Sequence, residues 1–421
     1  MRIGLFTDLY LPRADGVAIS VESFRLGLEA LGHTVYIFCP KLPEPFKEPN
    51  DRVYRFPSLP SITYDGFRET YPFTPGSYNH ISSLQLDVIH TFTQFHIGMF
   101  GSYIAKQNHI PLVTTCSADF DLINEYKRIN FASLILIFGT IFSTRKFMTF
   151  AELNAFFKPS YPFITWLHRM IRVSAAFYND QCDLTIVPSL KTKHSIAPYM
   201  KKKPVILASG IDLRLVPHKR DSLQFRKAYG LKNEILFVSS SRLVREKRID
   251  FLIRAFAELP KSLQEKSAFV IVGDGPMMLS LKKLVKDLNL SGKIVFIGRV
   301  TNRRVLEIVS ACDIYIHASL RETQGLVLNE AAVCGKPIIM IDREVNEILH
   351  EGKNGLFAKN TLTDFAAKME MLLIDKRLRL KLGETSYNFA KAMSNEAASK
   401  QLVSLYQEIL KKKTFSIPSH L

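Results

Sequence analysis

Cysteine is scarce: Cys39, Cys116, Cys182, Cys312 and Cys334 are scattered through 421 residues, odd in number and without C-x-x-C spacing. That excludes a disulfide framework, argues against a structural zinc, and suits a reducing compartment. No G-x-G-x-x-G follows the first strand, which disfavours a dinucleotide-dependent oxidoreductase. The apolar stretch from Phe131 to Phe142 is too short to cross a bilayer, which takes about 20 residues. Met1-Arg2 leads straight into a strand and then Asp8, so no signal peptide is expected. Acidic residues are the minority, 39 against 56 basic, for a net charge of +17 that calls for an anionic partner. The basic residues form no recognition helix, zinc finger or aromatic–basic sheet signature, so no nucleic-acid partner is expected. They fall in short groups, Lys201–Lys203, His218–Arg220, Arg245–Arg248, Arg303–Arg304 and Lys411–Lys413, whose number favours an acidic membrane surface.

What is present is a globular composition, 47% hydrophobic and 23% charged, on a chain long enough for two domains. Short apolar strands alternate with helical patterns, the mark of parallel sheets covered by helices on both faces. Strands are expected at 3–7, 35–39, 53–56, 88–91, 112–116, 184–187 and 205–207, then at 235–239, 269–272, 294–297, 314–317, 338–341 and 355–357. The turn-rich stretch Ala208 to Asp212 separates the series, placing one domain at 1–207 and a second, with all the terminal helices, at 208–421. A helical insertion at about 121–180 fits neither series. It carries the Phe131–Phe142 stretch, Arg145-Lys146, Phe156-Phe157-Lys158, Trp166, His168-Arg169 and Arg172, a mixture that suits a helix lying in a lipid interface or a hairpin packed on its own domain.

The most informative segment runs from Ser319 to Val333, where Glu322 and Glu330 bracket seven residues and Gly325 precedes an apolar run. It reads as strand, loop, helix. A helix N-terminus offers unpaired N–H groups and partial positive charge to a diphosphate, and Glu330, one to two turns in, can accept from ribose hydroxyls. Glu322, in the loop, is left facing a sugar. Arg242 and Lys247 follow the first strand of the second series, where ligands of parallel sheets bind, and two fixed cations there can neutralise a leaving group without a metal. Gly273 follows the next strand with room for close backbone approach, and Arg299 and Val300 follow the third, where a nucleotide base would lie. In the first domain, Gly16 opens a helix whose N-terminus can meet a phosphate or sugar.

With these motifs in place the chain resembles the retaining glycosyltransferases of classification family four. The resemblance covers nearly the whole length and rests on Phe6-Thr7-Asp8 through Gly16-Val17, Asp87 to Thr91, Arg242 to Lys247, Val272 to Pro276, and the Glu322–Glu330 pair. It implies the GT-B fold, an α/β architecture of two Rossmann-like domains facing across a cleft, with the acceptor on the first and the nucleotide sugar on the second. The wording Glu322-Thr323-Gln324-Gly325-Leu326 is most similar to the 1,2-diacylglycerol 3-glucosyltransferase branch. On that similarity Glu330 binds donor ribose, Glu322 the donor sugar, and Arg242 and Lys247 the diphosphate, with the N–H groups near Leu326 and Val327 completing the anion site.

The chain departs from the family at Ser117, in Thr115-Cys116-Ser117-Ala118, where relatives carry a histidine against the donor sugar, and at Phe92, commonly a second histidine. Asp119-Phe120-Asp121 matches the D-x-D of the other glycosyltransferase fold, but two residues recur by chance, and no metal or other cofactor is expected. The expected function is hexosyl transfer, with retention of configuration, from a nucleotide sugar, UDP-glucose first, to a lipid such as diacylglycerol. The expected location is the cytoplasm, peripheral on the inner face of the cell membrane. Two alternatives stay open: a soluble sugar or glycan acceptor, and a nucleotide-sugar-binding scaffold with little turnover.

Overall fold

The computed structural model of the protein describes residues 1–12, 15–43, 48, 50–61, 68–118, 129–158, 163–216, 220–231, 234–345 and 348–415. Asp119 to Asp121, and His218 and Lys219, lie outside them. The strands are β1 (Arg2–Phe6), β2 (Thr34–Pro40), β3 (Val53–Phe56), β4 (Ser58–Pro60), β5 (Arg68–Thr70), β6 (Val88–Thr91), β7 (Leu112–Thr115), β8 (Leu184–Val187), β9 (Val205–Ile206), β10 (Ile235–Ser240), β11 (Ser267–Val272), β12 (Ile294–Gly298), β13 (Ile314–His317), β14 (Ile338–Met340) and β15 (Gly355–Phe357). The chain divides into two compact units, Met1–Gly210 with Asn395–Leu421, and Ile211–Ser394.

The first unit holds a seven-stranded sheet in the order β3-β2-β1-β6-β7-β8-β9, all neighbours parallel. Alternate residues feed cores on its two faces: Phe6 and Phe38, stacked at 4.3 Å, go to one, and Leu5 and Ile37 to the other. The antiparallel pair β4–β5 stands apart from this sheet and carries no strong sequence signal. The second unit repeats the plan with six parallel strands, β12-β11-β10-β13-β14-β15. Phe237, Phe269 and Ile271 face one core, and Leu236, Val238 and Val270 the other. In both sheets the strand order reverses beside the first strand, at β1/β6 and at β10/β13, which is where ligands of open α/β sheets bind.

One boundary needs correction. The last helix, Asn395–Phe415, belongs to the first unit, not to the domain expected at 208–421. Leu402, Tyr406 and Ile409 recur at helical spacing and are buried with Leu5, Val21 and Leu28 of the first unit. Helical periodicity reveals such a face but not its partner. Contact with the helix Gly16–Ala30 is close: a Cβ on Gly27 would lie 2.2 Å from Ser399 Oγ. Tyr406 Oη sits 2.6 Å from Nδ1 of the fully buried His90, whose Nε2 meets Thr115 Oγ1 at 2.8 Å. Burial lowers the His90 pKa to about 3, so this imidazole is a neutral core group. The helix also carries Lys411–Lys413.

The insertion packs on its own domain along one side and exposes aromatic residues along another. The helix Ile129–Thr144 buries Leu136, Ile137 and Thr140, and a Cβ on Gly139 would lie 2.0 Å from Met99 Sδ of the helix His96–Gln107. The same helix leaves Phe138 and Phe142 exposed, and Phe147, Phe150 and Phe157 follow them at the surface. Phe142 touches the ring of the exposed Phe73 at 5.5 Å. Among the described residues no helix is long and apolar enough to cross a membrane.

Candidate active site

The reversal point of the second sheet gathers most of the candidate residues. After β10 the chain forms a loop, a short 3-10 turn at Arg245–Lys247, a left-handed residue at Arg248, and the helix Ile249–Ala257. After β13 it forms the loop bearing Glu322 and then the helix Leu326–Val333. These neighbouring strand ends bring Lys247 Nζ to 2.6 Å from Glu322 Oε1, both groups mostly buried. His317, the last residue of β13, lies 3.4 Å from the same oxygen. Burial alone would raise the Glu322 carboxyl, but the His317 contact and the Lys247 charge outweigh it and hold the pKa at about 2. Glu322 is therefore an ionised, oriented acceptor at neutral pH. Lys247, read from the sequence as a fixed cation facing the diphosphate, is engaged with this carboxylate.

Gly325 takes φ +66°, a left-handed conformation that glycine adopts without steric cost, and caps the helix Leu326–Val333 without a side-chain bond. The first N–H groups of the helix, at Leu326 and Val327, thus receive no cap from a side chain of the N-cap residue, while Gly325 O accepts from Leu328 N at 2.8 Å. Glu330 is buried in this helix, and desolvation raises its carboxyl pKa to about 7. Beside it, Tyr315 of β13 is held by Ser240 Oγ at 3.0 Å, and its hydroxyl pKa is raised by burial and, less strongly, by Glu330 and Glu322. His317 and Tyr315 were missed from the sequence because they read as strand residues. The one available signal was a histidine ending an apolar strand just before Glu322.

The remaining candidates are placed differently. Arg242 follows β10 but is 66% exposed, with Glu246 at 4.0 Å, a surface pair worth little to stability. We expect Arg242→Ala to lower transfer at least tenfold while leaving the melting temperature within about 2 °C, since surface changes are usually near-neutral. Parallel losses of melting temperature and rate would make Arg242 structural. Gly273 takes φ +134°, and a Cβ there would lie 1.8 Å from the Ser241 carbonyl oxygen. The close approach required at Gly273 is thus to the loop after β10, and its N–H donates to Gly298 O at 2.9 Å. Arg299 and Val300 follow β12, exposed and half-buried respectively.

In the first unit, Gly16 is exposed at the start of its helix, where the Asp15 carboxylate accepts from Ala18 N at 2.9 Å. This end already carries a negative cap, unlike the helix after Gly325. Ser117 is half-buried just past β7. At the β1/β6 reversal, buried Asp8 accepts from Ile97 N at 3.0 Å and from Thr93 Oγ1, anchoring the helix His96–Gln107. Desolvation raises the Asp8 carboxyl in spite of these bonds. Among the described residues no group of three His, Cys, Asp or Glu side chains could hold a metal ion.

Comparison with known proteins gives this geometry a family. The pattern for Glycosyl transferases group 1 matches residues 221–389, and that for Glycosyltransferase Family 4 matches residues 14–215. The alpha-monoglucosyldiacylglycerol synthase of Acholeplasma laidlawii is 31% identical over 369 residues, 85% of this chain and 84% of the relative. The chain belongs to glycosyltransferase family 4. The corresponding synthase of Streptococcus pneumoniae is 27% identical over 345 residues, 80% of this chain and 70% of the relative. The crystal structure of Anabaena Alr3699/HepE in complex with UDP and glucose matches the fold with a TM-score of 0.69 at 16% identity, over 97% of this chain and all of that one. This family 4 member is accordingly a hexosyltransferase of the GT-B fold class, built from two Rossmann-like α/β units.

Proposed function

We propose that this glycosyltransferase moves glucose from UDP-glucose to the free hydroxyl of a diacylglycerol-type lipid, with retention of configuration, at an anionic membrane surface on the cytoplasmic side. The observation that carries the donor half is the Lys247–Glu322 pair at 2.6 Å beside a helix N-terminus opened by a left-handed glycine, all at the reversal point of one sheet. The N–H groups of Leu326 and Val327, with Arg242, take the diphosphate and stabilise the charge that grows as the sugar–phosphate bond breaks. Glu322 accepts from a sugar hydroxyl, and Lys247 holds it ionised for that task. Glu330 accepts from the ribose. Arg299 and Val300 flank the base, and Gly273 fixes the loop behind the diphosphate. The acceptor oxygen bonds to the anomeric carbon while its proton passes to the departing phosphate oxygen.

The acceptor half is supported by two relatives named for glucosyl transfer to diacylglycerol and by the aromatic edge of Phe138, Phe142, Phe147, Phe150 and Phe157 beside Arg145 and Lys146. Exposed aromatics next to bases suit the boundary between headgroups and acyl chains. We expect the triple variant Phe138→Ser, Phe142→Ser, Phe150→Ser to keep its melting temperature, because these side chains are 65%, 61% and 87% exposed. It should lose the part of vesicle binding that high salt does not remove. Unchanged salt-resistant binding to phosphatidylglycerol vesicles would remove the membrane role of this edge. The acceptor is tested by extraction: purified enzyme, labelled UDP-glucose and diacylglycerol in such vesicles should put label in the organic phase, and label confined to the aqueous phase would refute a lipid acceptor.

A further inference from the structure

We infer that His317 is a positioning residue of the donor-sugar site, fixing which oxygen of Glu322 is offered to the sugar and so which hydroxyl epimer is preferred. The inference rests on the reading of Glu322 as the sugar-facing carboxylate. Two groups from neighbouring strand ends converge on one atom: Lys247 Nζ at 2.6 Å and His317 Nε2 at 3.4 Å both lie against Glu322 Oε1. Oε2 takes part in neither contact. A carboxylate gripped by one oxygen from two directions cannot rotate without losing both contacts, so Oε2 keeps a fixed bearing.

His317 is well placed to impose that bearing. Its side chain is buried, and Nε2 makes no hydrogen bond among the described residues, with Glu322 Oε1 facing it at 3.4 Å. With the ring proton on Nε2, a small shift of either side chain closes a hydrogen bond to Glu322. The strand end that carries it is pinned: Tyr315, on the same face two residues earlier, is bonded to Ser240, and the next residue, Ala318, accepts at its carbonyl from Arg248 at 3.4 Å. Lys247 alone could follow a swinging carboxylate, because an ammonium on a flexible stem donates in many directions. A buried imidazole on a pinned strand cannot. A fixed acceptor discriminates hydroxyl epimers because the wrong epimer leaves a buried polar group unpaired.

The probes are UDP, UDP-glucose and UDP-galactose. His317→Leu should leave UDP affinity unchanged, raise the KM for the preferred hexose donor about tenfold, and reduce the ratio of kcat/KM between the two epimers by a similar factor. His317→Gln, which retains a terminal N–H, should recover most of both. If His317→Leu folds and neither the KM nor the ratio moves, the inference is overturned. Should that variant fail to fold, the unmodified protein decides: the His317 Nε2 resonance in a 15N spectrum should shift on adding a UDP-hexose but not UDP, and an unmoved resonance refutes the role. Glu322→Gln separates the two levels. If it lowers hexose-dependent binding while His317→Leu does not, only the His317 assignment fails, whereas no effect of Glu322→Gln would remove the sugar-facing reading itself.

Discussion

Lys247→Ala is expected to lower the transfer rate by roughly 100- to 1,000-fold, the usual loss when one fixed electrostatic donor is taken from a reaction centre. It should also destabilise the fold, because a mostly buried Glu322 is left without its cation. Breaking such a pair from one side costs about 3–5 kcal/mol. The double variant Lys247→Met, Glu322→Gln removes both charges and should regain much of that stability without regaining activity. Stability and turnover are thus expected to separate in one pair of proteins, measured by thermal melting and steady-state kinetics. The pH dependence has a definite sign. Glu322 is held at about 2, below its ordinary 4.5, so its stabilisation is present above the ordinary value and is lost as pH falls from there through about 2. Acid sensitivity in that window should be blunted in the double variant. If the double variant is no more stable than Lys247→Ala, the pair is not the coupled unit described above.

Glu330→Gln carries the second large effect, with the opposite pH sign. Burial raises this carboxyl from 4.5 to about 7, so the folded state favours the protonated form. The stability that comes with the buried neutral acid is fully present below the ordinary carboxyl value and is lost as pH rises through about 7. Glutamine should therefore raise the melting temperature relative to the natural protein, more at pH 8 than at pH 5. Donor binding should run the other way. Ribose hydroxyls donate well to a carboxylate and only in part to an acid or amide. Nucleotide affinity of the natural protein is expected to rise between about pH 6 and 8, with proton release on binding, and affinity of the variant to be weaker, with that part of the rise gone. Calorimetry in buffers of different ionisation enthalpy measures the released proton directly. Equal affinities and equal proton release in the two proteins would take Glu330 out of the ribose site.

Much of the second sheet was legible because parallel strands buried on both faces are short apolar runs whose ends are marked by glycine and polar residues. The strand 314–317 and the helix opened by Gly325 lie where the sequence placed them. Contacts between residues distant in sequence were not legible. Lys247 and Glu322 are 75 residues apart, and nothing in either motif says that the lysine turns to the glutamate. Gly273 shows a related limit. A glycine after a strand signals a close approach, but not that the approaching group is the Ser241 carbonyl of the same protein. The closing helix revealed its apolar face through Leu402, Tyr406 and Ile409, yet only tertiary packing assigns that face to the first unit. The helix Ile129–Thr144 was ambiguous because one side is core and the other an exposed aromatic edge, and composition averages the two.

Hexosyl transfer to a lipid hydroxyl is measured most directly in the product itself. Purified enzyme would be incubated with labelled UDP-glucose and phosphatidylglycerol vesicles, with and without diacylglycerol, and the extracted lipid analysed by mass and by NMR at the anomeric carbon. The expected result is a monoglucosyl lipid that forms only with diacylglycerol and carries the α-anomeric configuration of the donor. A β-linked product, or transfer only to water-soluble acceptors with no glucosyl lipid, would contradict the account.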